Sequence, residues 1–293
     1  MAAPPWAHYG RLMSSQIQSA PAPSIGQRLR QWRQKRRLSQ LDLALEAEIS
    51  TRHLSFIETG RAAPSREMVL RLAERLEVPL RERNGLLLAA GFAPAFQARS
   101  LDDPALRPVR QALDALLAAH DPYPAIAIDR HWTLIAGNCA VQLLTAGASP
   151  KLLQPPVNAM RLALHPEGLA PRIANLAEWR DHLLFRLRRQ YADSADEDLA
   201  ALIEELAAYP CGPSRPRSAD SLATIAVPLR VRTDKGVLSF LSTTMMFGAP
   251  LDATVSEIAL ETFLPADAET AEALRAMQCA EVESKTRQQS RQA

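Results

Sequence analysis

The sequence predicts two domains, an all-α front of five helices followed by a larger α+β body. Three observations predict it. Between residues 24 and 92, four segments with apolar residues at helical spacing each begin just after a serine, a favoured helix cap. Beyond residue 120, strand-like runs such as PAIAIDR and HWTLIAGN meet at turn residues and alternate with further helical segments. The charge divides at the same boundary. Residues 24–92 hold 13 Lys+Arg against 8 Asp+Glu, a net +5, while residues 93–293 hold 20 against 24, a net −4; Arg11 completes the total of +2. A basic front on an acidic body implies a polyanionic partner for the front alone.

Length and composition agree with this division. A chain of 293 residues suits two domains, and a hydrophobic fraction of 47% is enough for sizeable cores. The expected boundaries are a disordered Pro/Ala/Ser-rich tail at 1–23, the helical front at 24–92, a linker at 93–103, the body at 104–278 and a polar tail at 279–293. Met13 is a second candidate start. Cys139, Cys211 and Cys279 are odd in number, far apart and without CxxC spacing, which predicts reduced thiols of a cytoplasmic protein and no metal or disulfide. No apolar run approaches the roughly 18 residues of a membrane span.

Along the front, Ser24 caps a first helix whose Ile25, Leu29 and Trp32 share one face, with Arg28, Arg30, Lys35, Arg36 and Arg37 crowding the others. Ser39 caps a second helix from Gln40, with Leu43, Ala44 and Ala47 directed inward; Ala44 is small where two helices of a helix-turn-helix must approach. Ile49 plugs the turn and Ser50 caps the third helix, Thr51 to Glu58. There Leu54 and Ile57 point to the core, leaving Thr51, Arg52, Ser55 and Phe56 on the open side. Gly60 follows where positive φ is needed. Pro64-Ser65 opens a fourth helix (Val69, Leu72, Ala73, Leu76), and a fifth carries Leu86, Leu87 and Leu88 to Gly91.

The "LSQ" at 38–40, "IS" at 49–50 and "IETGRAAPS" at 57–65 resemble the Cro/repressor-type, or xenobiotic-response-element, helix-turn-helix family. The resemblance implies that Gln40 contacts the DNA backbone, that Thr51, Arg52 and Phe56, with His53 and Ser55 nearby, face base edges, and that Glu58 pairs with Arg33. Glu48 departs from the commonest pattern, which has Gly in the turn. Phe56 stands where polar readers are common; it either meets a thymine methyl or folds into the core. Arg52 suits a bidentate bond to guanine, whereas Arg36, Arg37, Arg61 and Arg66 suit phosphates. A single such unit reads few base pairs, so a dimer on a two-fold operator is expected.

In the body, an amphipathic helix at 105–119 precedes the two strands, which turn near Asp129-Arg130; helices follow at 139–145, 157–164, 171–191 and 195–208. The loop YPCGPSRPRS leads to a hairpin, TIAVPLRVR and VLSFLSTTMMF, turning at 234–236; a strand near 256–263 and a helix from 267 close the domain. The strand-turn-strand-helix opening resembles a PAS-type sensor. AIDRHWTLIAGN, WRDHLLFRLRRQY and GVLSFLSTTMMFGAPLDATVSEIALETFLPADAETAEAL resemble the ligand-binding domain of MmyB-like transcription regulators, a likeness spanning about 25–278. It implies a PAS-like domain enclosing an apolar cavity for a fatty acid or similar lipid. Candidate lining residues are Trp132, Leu134, Leu144, Leu184, Phe185, Phe240, Met245 and Phe247; candidate head-group anchors are Arg180, Arg186, Arg188 and Arg230. Asn138 is expected to cap the helix after the strand, and His131 to be a turn residue.

An enzyme is the poorer reading. There is no HExxH, GxSxG, P-loop or GxGxxG after a strand, and no cofactor is implied. The expected function is a sequence-specific transcriptional regulator whose DNA binding responds to a small apolar ligand. The alternative is a regulator whose body only dimerises or binds a protein partner.

Overall fold

The computed structural model describes residues 23–194, 196–212, 226–234, 236–248 and 250–277. The expected disordered leader (all but its last residue), most of the loop at 209–218, Lys235 of the hairpin turn, Cys279 and the polar tail lie outside them. The described chain falls into two compact units, one up to Val78 with Gly85–Ala93, the other Pro79–Asn84 with the residues from Pro94 onward.

The first unit is helical: α1 (Ile25–Lys35), α2 (Gln40–Glu46), α3 (Thr51–Glu58), α4 (Arg66–Arg75) and the latter part of α5 (Leu80–Ala89). The four serines cap as their positions demand. Ser24 and Ser39 form capping boxes with Gln27 and Asp42, and Ser50 and Ser65 accept from the His53 and Met68 amides. Leu29, Leu43, Leu54, Ile57, Leu72, Leu76 and Leu87 are fully enclosed in one core. Leu88 differs from expectation: it is 60% exposed, because Leu86 and Leu87 already supply the inward face of α5.

The second unit is α+β. Its sheet has β1 (Ala125–Ile128), β2 (Leu134–Gly137), β3 (Leu229–Thr233), β4 (Gly236–Met246) and β5 (Ala259–Pro265), in the order β2-β1-β5-β4-β3 with every pair antiparallel. This is a PAS-like sheet. Alternation sorts the side chains: Ile126 and Ile128 face the larger core, while Ala125 and Ala127 face α6 (Arg107–Ala119) with its Leu113 and Leu117. Small residues on β1 allow that helix to lie close. The larger core is roofed by α7 (Val141–Thr145), α8 (Ala159–Leu164), α9 (Leu176–Ser194) and α10 (Glu197–Ala208). The last strand begins later than predicted. A short helix α11 (Ala253–Ser256), capped by the Asp252 side chain, occupies the start of the predicted run.

The expected linker is bonded to this unit along its length. Gln97 O accepts from the Ala253 amide at 2.7 Å, Arg99 O from the Thr254 hydroxyl at 2.8 Å, and the Arg99 guanidinium pairs with Asp252 at 3.0 Å. The Ala253 amide and the Thr254 hydroxyl, at the start of α11, satisfy this backbone, so it does not run free.

Candidate nucleic-acid interface and apolar cavity

In the helical unit, α3 presents its polar side outward. Arg52 and His53 are exposed, and Thr51, Ser55 and Phe56 are half-buried. Phe56 stands outside the apolar core, its ring flanked by the guanidinium groups of Arg52 at 5.3 Å and Arg61 at 5.9 Å. It therefore acts as a surface platform for two cations. Folding into the core, one of its two expected fates, does not occur.

Behind this helix lies a buried polar joint. Arg33 donates to both oxygens of Glu58, at 2.7 and 2.9 Å, and the Gln40 amide donates to Glu58 Oε2 at 2.8 Å. Three helices, α1, α2 and α3, are thus tied at one carboxylate. Burial pushes the Glu58 carboxyl upward, but the hydrogen bonds from Arg33 and Gln40 outweigh it and hold it below its ordinary value. The amide of Gln40 is engaged inside the unit rather than left for a phosphate. Arg36 is also committed: its guanidinium donates to Leu76 O at 2.9 Å and Glu77 O at 3.0 Å, closing the C-terminus of α4. Arg37, Arg61 and Arg66 remain exposed, Arg66 as the first residue of α4.

Of two backbone features, the departure at Glu48 is legible in the sequence and the close approach at Gly26 is not. Glu48 has φ 56°, so the turn requires the left-handed conformation that a glycine would enter freely. A Cβ on Gly26 would lie 2.3 Å from Ile57 O and 2.7 Å from Glu58 O, so α1 crosses α3 at a distance only glycine permits.

The second unit encloses an apolar cavity of about 370 Å³, a volume within the ordinary range of small-molecule pockets. Of the eight predicted lining residues, Trp132, Leu134 and Leu144 line it. Leu184 and Phe240 are buried in solid core, Phe185 is 64% exposed on the far side of α9, and Met245 is 38% exposed. Phe247 packs with the α6-side cluster. The side chains that complete the wall include Ile126, Met160, Leu162, Trp179, Leu183 and Phe263.

Trp132 is the most constrained of these. It has φ 65°, its indole N–H donates to Gln190 Oε1 at 2.8 Å, and the Arg186 guanidinium lies 4.9 Å over its ring. The Gln190 amide in turn donates to Arg130 O at 2.6 Å, so α9 locks the β1–β2 turn. Arg172 holds α7 by donating to the carbonyls of Leu143, Leu144 and Ala146, which fixes Leu144 at the cavity.

Of the four candidate anchors, Arg186 reaches the cavity. Arg188 and Arg230 are exposed elsewhere, and Arg180 donates to Tyr209 O at 3.2 Å. Asn138 lines the cavity but does not cap the next helix with its side chain. It accepts from the Ala125 amide and donates to Tyr123 O and Leu117 O, pinning the entry to β1. His131 sits in the turn, its Nε2 2.8 Å from Asp196 Oδ2 and 3.8 Å from Asp198. These three could hold a cation, yet Arg130 already lies 3.4 Å from Asp196. Burial pushes the Asp196 carboxyl up, and contacts with His131 and Arg130 overcome this and hold it low, as in an ion-pair cluster.

Residues 109–277 match the family model described as MmyB-like transcription regulator ligand binding domain, and residues 29–83 match the model described as helix-turn-helix. Among solved structures, the SinR protein/SinI protein complex is similar at 26% identity over 32% of this chain and 82% of that one, with a TM-score of 0.21. An RNA-binding light-oxygen-voltage receptor is similar at 15% identity over 90% of this chain and 64% of that one, with a TM-score of 0.24. No curated protein matches the chain.

Proposed function

The chain belongs to the family of MmyB-like transcription regulators, and from that premise we propose that its DNA binding is modulated by a small apolar ligand such as a fatty acid or related lipid. Its helix-turn-helix and ligand-binding domains are those of a DNA-binding transcription regulator, and neither family is one of enzymes. The observation that carries the ligand is the cavity, walled chiefly by aliphatic and aromatic side chains, with Arg186 and Glu261 the charged pair among its described lining. A packed oligomerisation domain would have no use for such a void, since unfilled apolar volume destabilises a core.

In the DNA-bound state Arg52 reads a base edge, with Thr51, His53 and Ser55 beside it. Phe56 braces Arg52 and Arg61, and Arg37 and Arg66 take phosphates. Arg33, Glu58 and Gln40 hold the reading helix. Two copies bind a two-fold operator. The test is footprinting at fixed salt with and without long-chain lipids, together with native mass spectrometry of the purified chain. Co-purified lipid and a ligand-dependent change in operator affinity are expected. An unchanged affinity across all ligands would sink the sensor model.

A second reading, in which the body chiefly joins two copies or binds a protein, draws on one observation. Leu241 and Leu264 stand opposite each other on β4 and β5, each 37% exposed, with Met245 farther along β4 at 38%. Sedimentation of Leu241→Lys separates the two: loss of the dimer with ligand binding intact assigns that face to assembly alone.

A further inference from the structure

The two charged residues among the described lining of the cavity are Arg186 and Glu261, and they are already satisfied by each other. Arg186 donates to both Glu261 oxygens, at 2.7 and 2.9 Å. The Thr244 hydroxyl accepts from the same guanidinium at 2.9 Å and donates to Glu261 Oε2 at 2.9 Å. Trp132 covers one face of the guanidinium. Glu261 is 2% exposed. The polar wall of the cavity is therefore electrically neutral as built.

An ionised carboxylate entering this cavity has two options. It can share Arg186 with Glu261, placing two anions on one cation beside a carboxylate that is itself buried. Or it can displace Glu261, leaving a buried carboxylate without its counter-charge. Both are costly, because a buried charge is tolerated only when paired. An uncharged head meets neither cost and can still accept a hydrogen bond from the guanidinium, which has more N–H groups than Glu261 and Thr244 use. Resting on the apolar-ligand reading above, we propose that the cavity selects a chain with an uncharged head: an alcohol, an ester, an amide or an undissociated acid. The Arg186–Glu261 pair is the specificity determinant that turns away the anion. A fatty acid enters as its protonated form, taking its proton from solvent.

The test is calorimetric titration of the full chain with 1-decanol, methyl decanoate and decanoic acid between about pH 5.5 and about pH 8. The alcohol and ester are expected to bind alike across this range, while the apparent affinity for the acid falls about tenfold per pH unit above the acid's own pKa. Glu261→Gln leaves Arg186 unbalanced and is expected to strengthen decanoate binding at the higher pH by about tenfold or more. Wild-type protein that binds decanoate at the higher pH as tightly as decanol overturns the proposal and leaves the apolar-ligand reading intact. A wild-type pH series as expected but no gain in a folded Glu261→Gln overturns the assignment to this pair. Should the variant not fold, the wild-type series alone decides. Binding of none of the three compounds overturns both this proposal and the reading beneath it.

Discussion

At Glu58, three hydrogen bonds from two partners, Arg33 and Gln40, meet on one buried carboxylate, and the consequences are specific. Removing either side of the Arg33–Glu58 pair leaves the other charge stranded among the core leucines. Glu58→Ala is expected to cost about 3–5 kcal/mol, read as faster hydrogen exchange of the α3 amides rather than as a global transition, because a two-unit chain need not unfold in one step. The pH dependence has a fixed sign. The folded-state value lies below the ordinary 4.5, so the contribution is complete above the unfolded value and is lost as pH falls through the folded one. Protection of α3 should therefore decline in acid below about pH 4.5, and Glu58→Gln should flatten that decline. Arg52 tests a different property of the same helix. Its side chain is exposed and braced on Phe56, so Arg52→Ala should leave α3 intact while lowering discrimination between operator and mismatched DNA by about 1–3 kcal/mol. Loss of non-specific binding alone, measured in mobility-shift competition, would place Arg52 on a phosphate instead.

Helices and strands show why some of the architecture was legible and some was not. A serine before an apolar periodic run specifies where a helix starts through chemistry local in sequence, so Ser24, Ser39, Ser50 and Ser65 could be read directly. Strand-like runs meeting at turn residues likewise marked the two strands that pair as β1 and β2. The cavity wall was harder, because it depends on which faces converge. On α9 the cavity takes Trp179, Leu183 and Arg186, spaced at i, i+4 and i+7, while Gln190 at i+11 grips Trp132. That stripe was present in the sequence; Leu184 and Phe185 were chosen by size and fall on other faces. Close approach was equally hidden. Gly60, which follows a helix, has φ 75° with open space around its Cβ position, while Gly26, inside α1, faces the carbonyls of Ile57 and Glu58. Gly26→Ala should therefore push α1 from α3 and lower both head stability and operator affinity, more severely than Gly60→Ala, as thermal melts would show. Glu48→Gly goes the other way. Relief of the left-handed turn at φ 56° outweighs the added freedom of the unfolded chain by about 0.5–1 kcal/mol. A melt unchanged or lowered by this substitution would mean that the glutamate side chain contributes something the backbone argument omits.

For the molecule as a whole, regulation requires a coupling free energy between two sites, and coupling of binding is reciprocal. If a saturating ligand changes operator affinity by some factor, operator DNA must change ligand affinity by the same factor, commonly about 5–150-fold. The charge division between front and body supplies a way to test this. Operator binding draws on a front of net +5 and should weaken steeply with salt, with Arg66→Ala reducing the slope of log affinity against log salt by about 1. An uncharged ligand in an apolar cavity releases no counterions, so its own affinity should barely respond to the same salt series. The ratio of operator affinities with and without decanol should then stay constant from low to high salt even as each affinity falls by orders of magnitude. A ratio that collapses toward unity as salt rises would mean that the ligand acts by changing the charge presented to DNA. A ratio that holds, matched by an equal change in decanol affinity on adding operator, would place the coupling in a conformational equilibrium that both ligands bias.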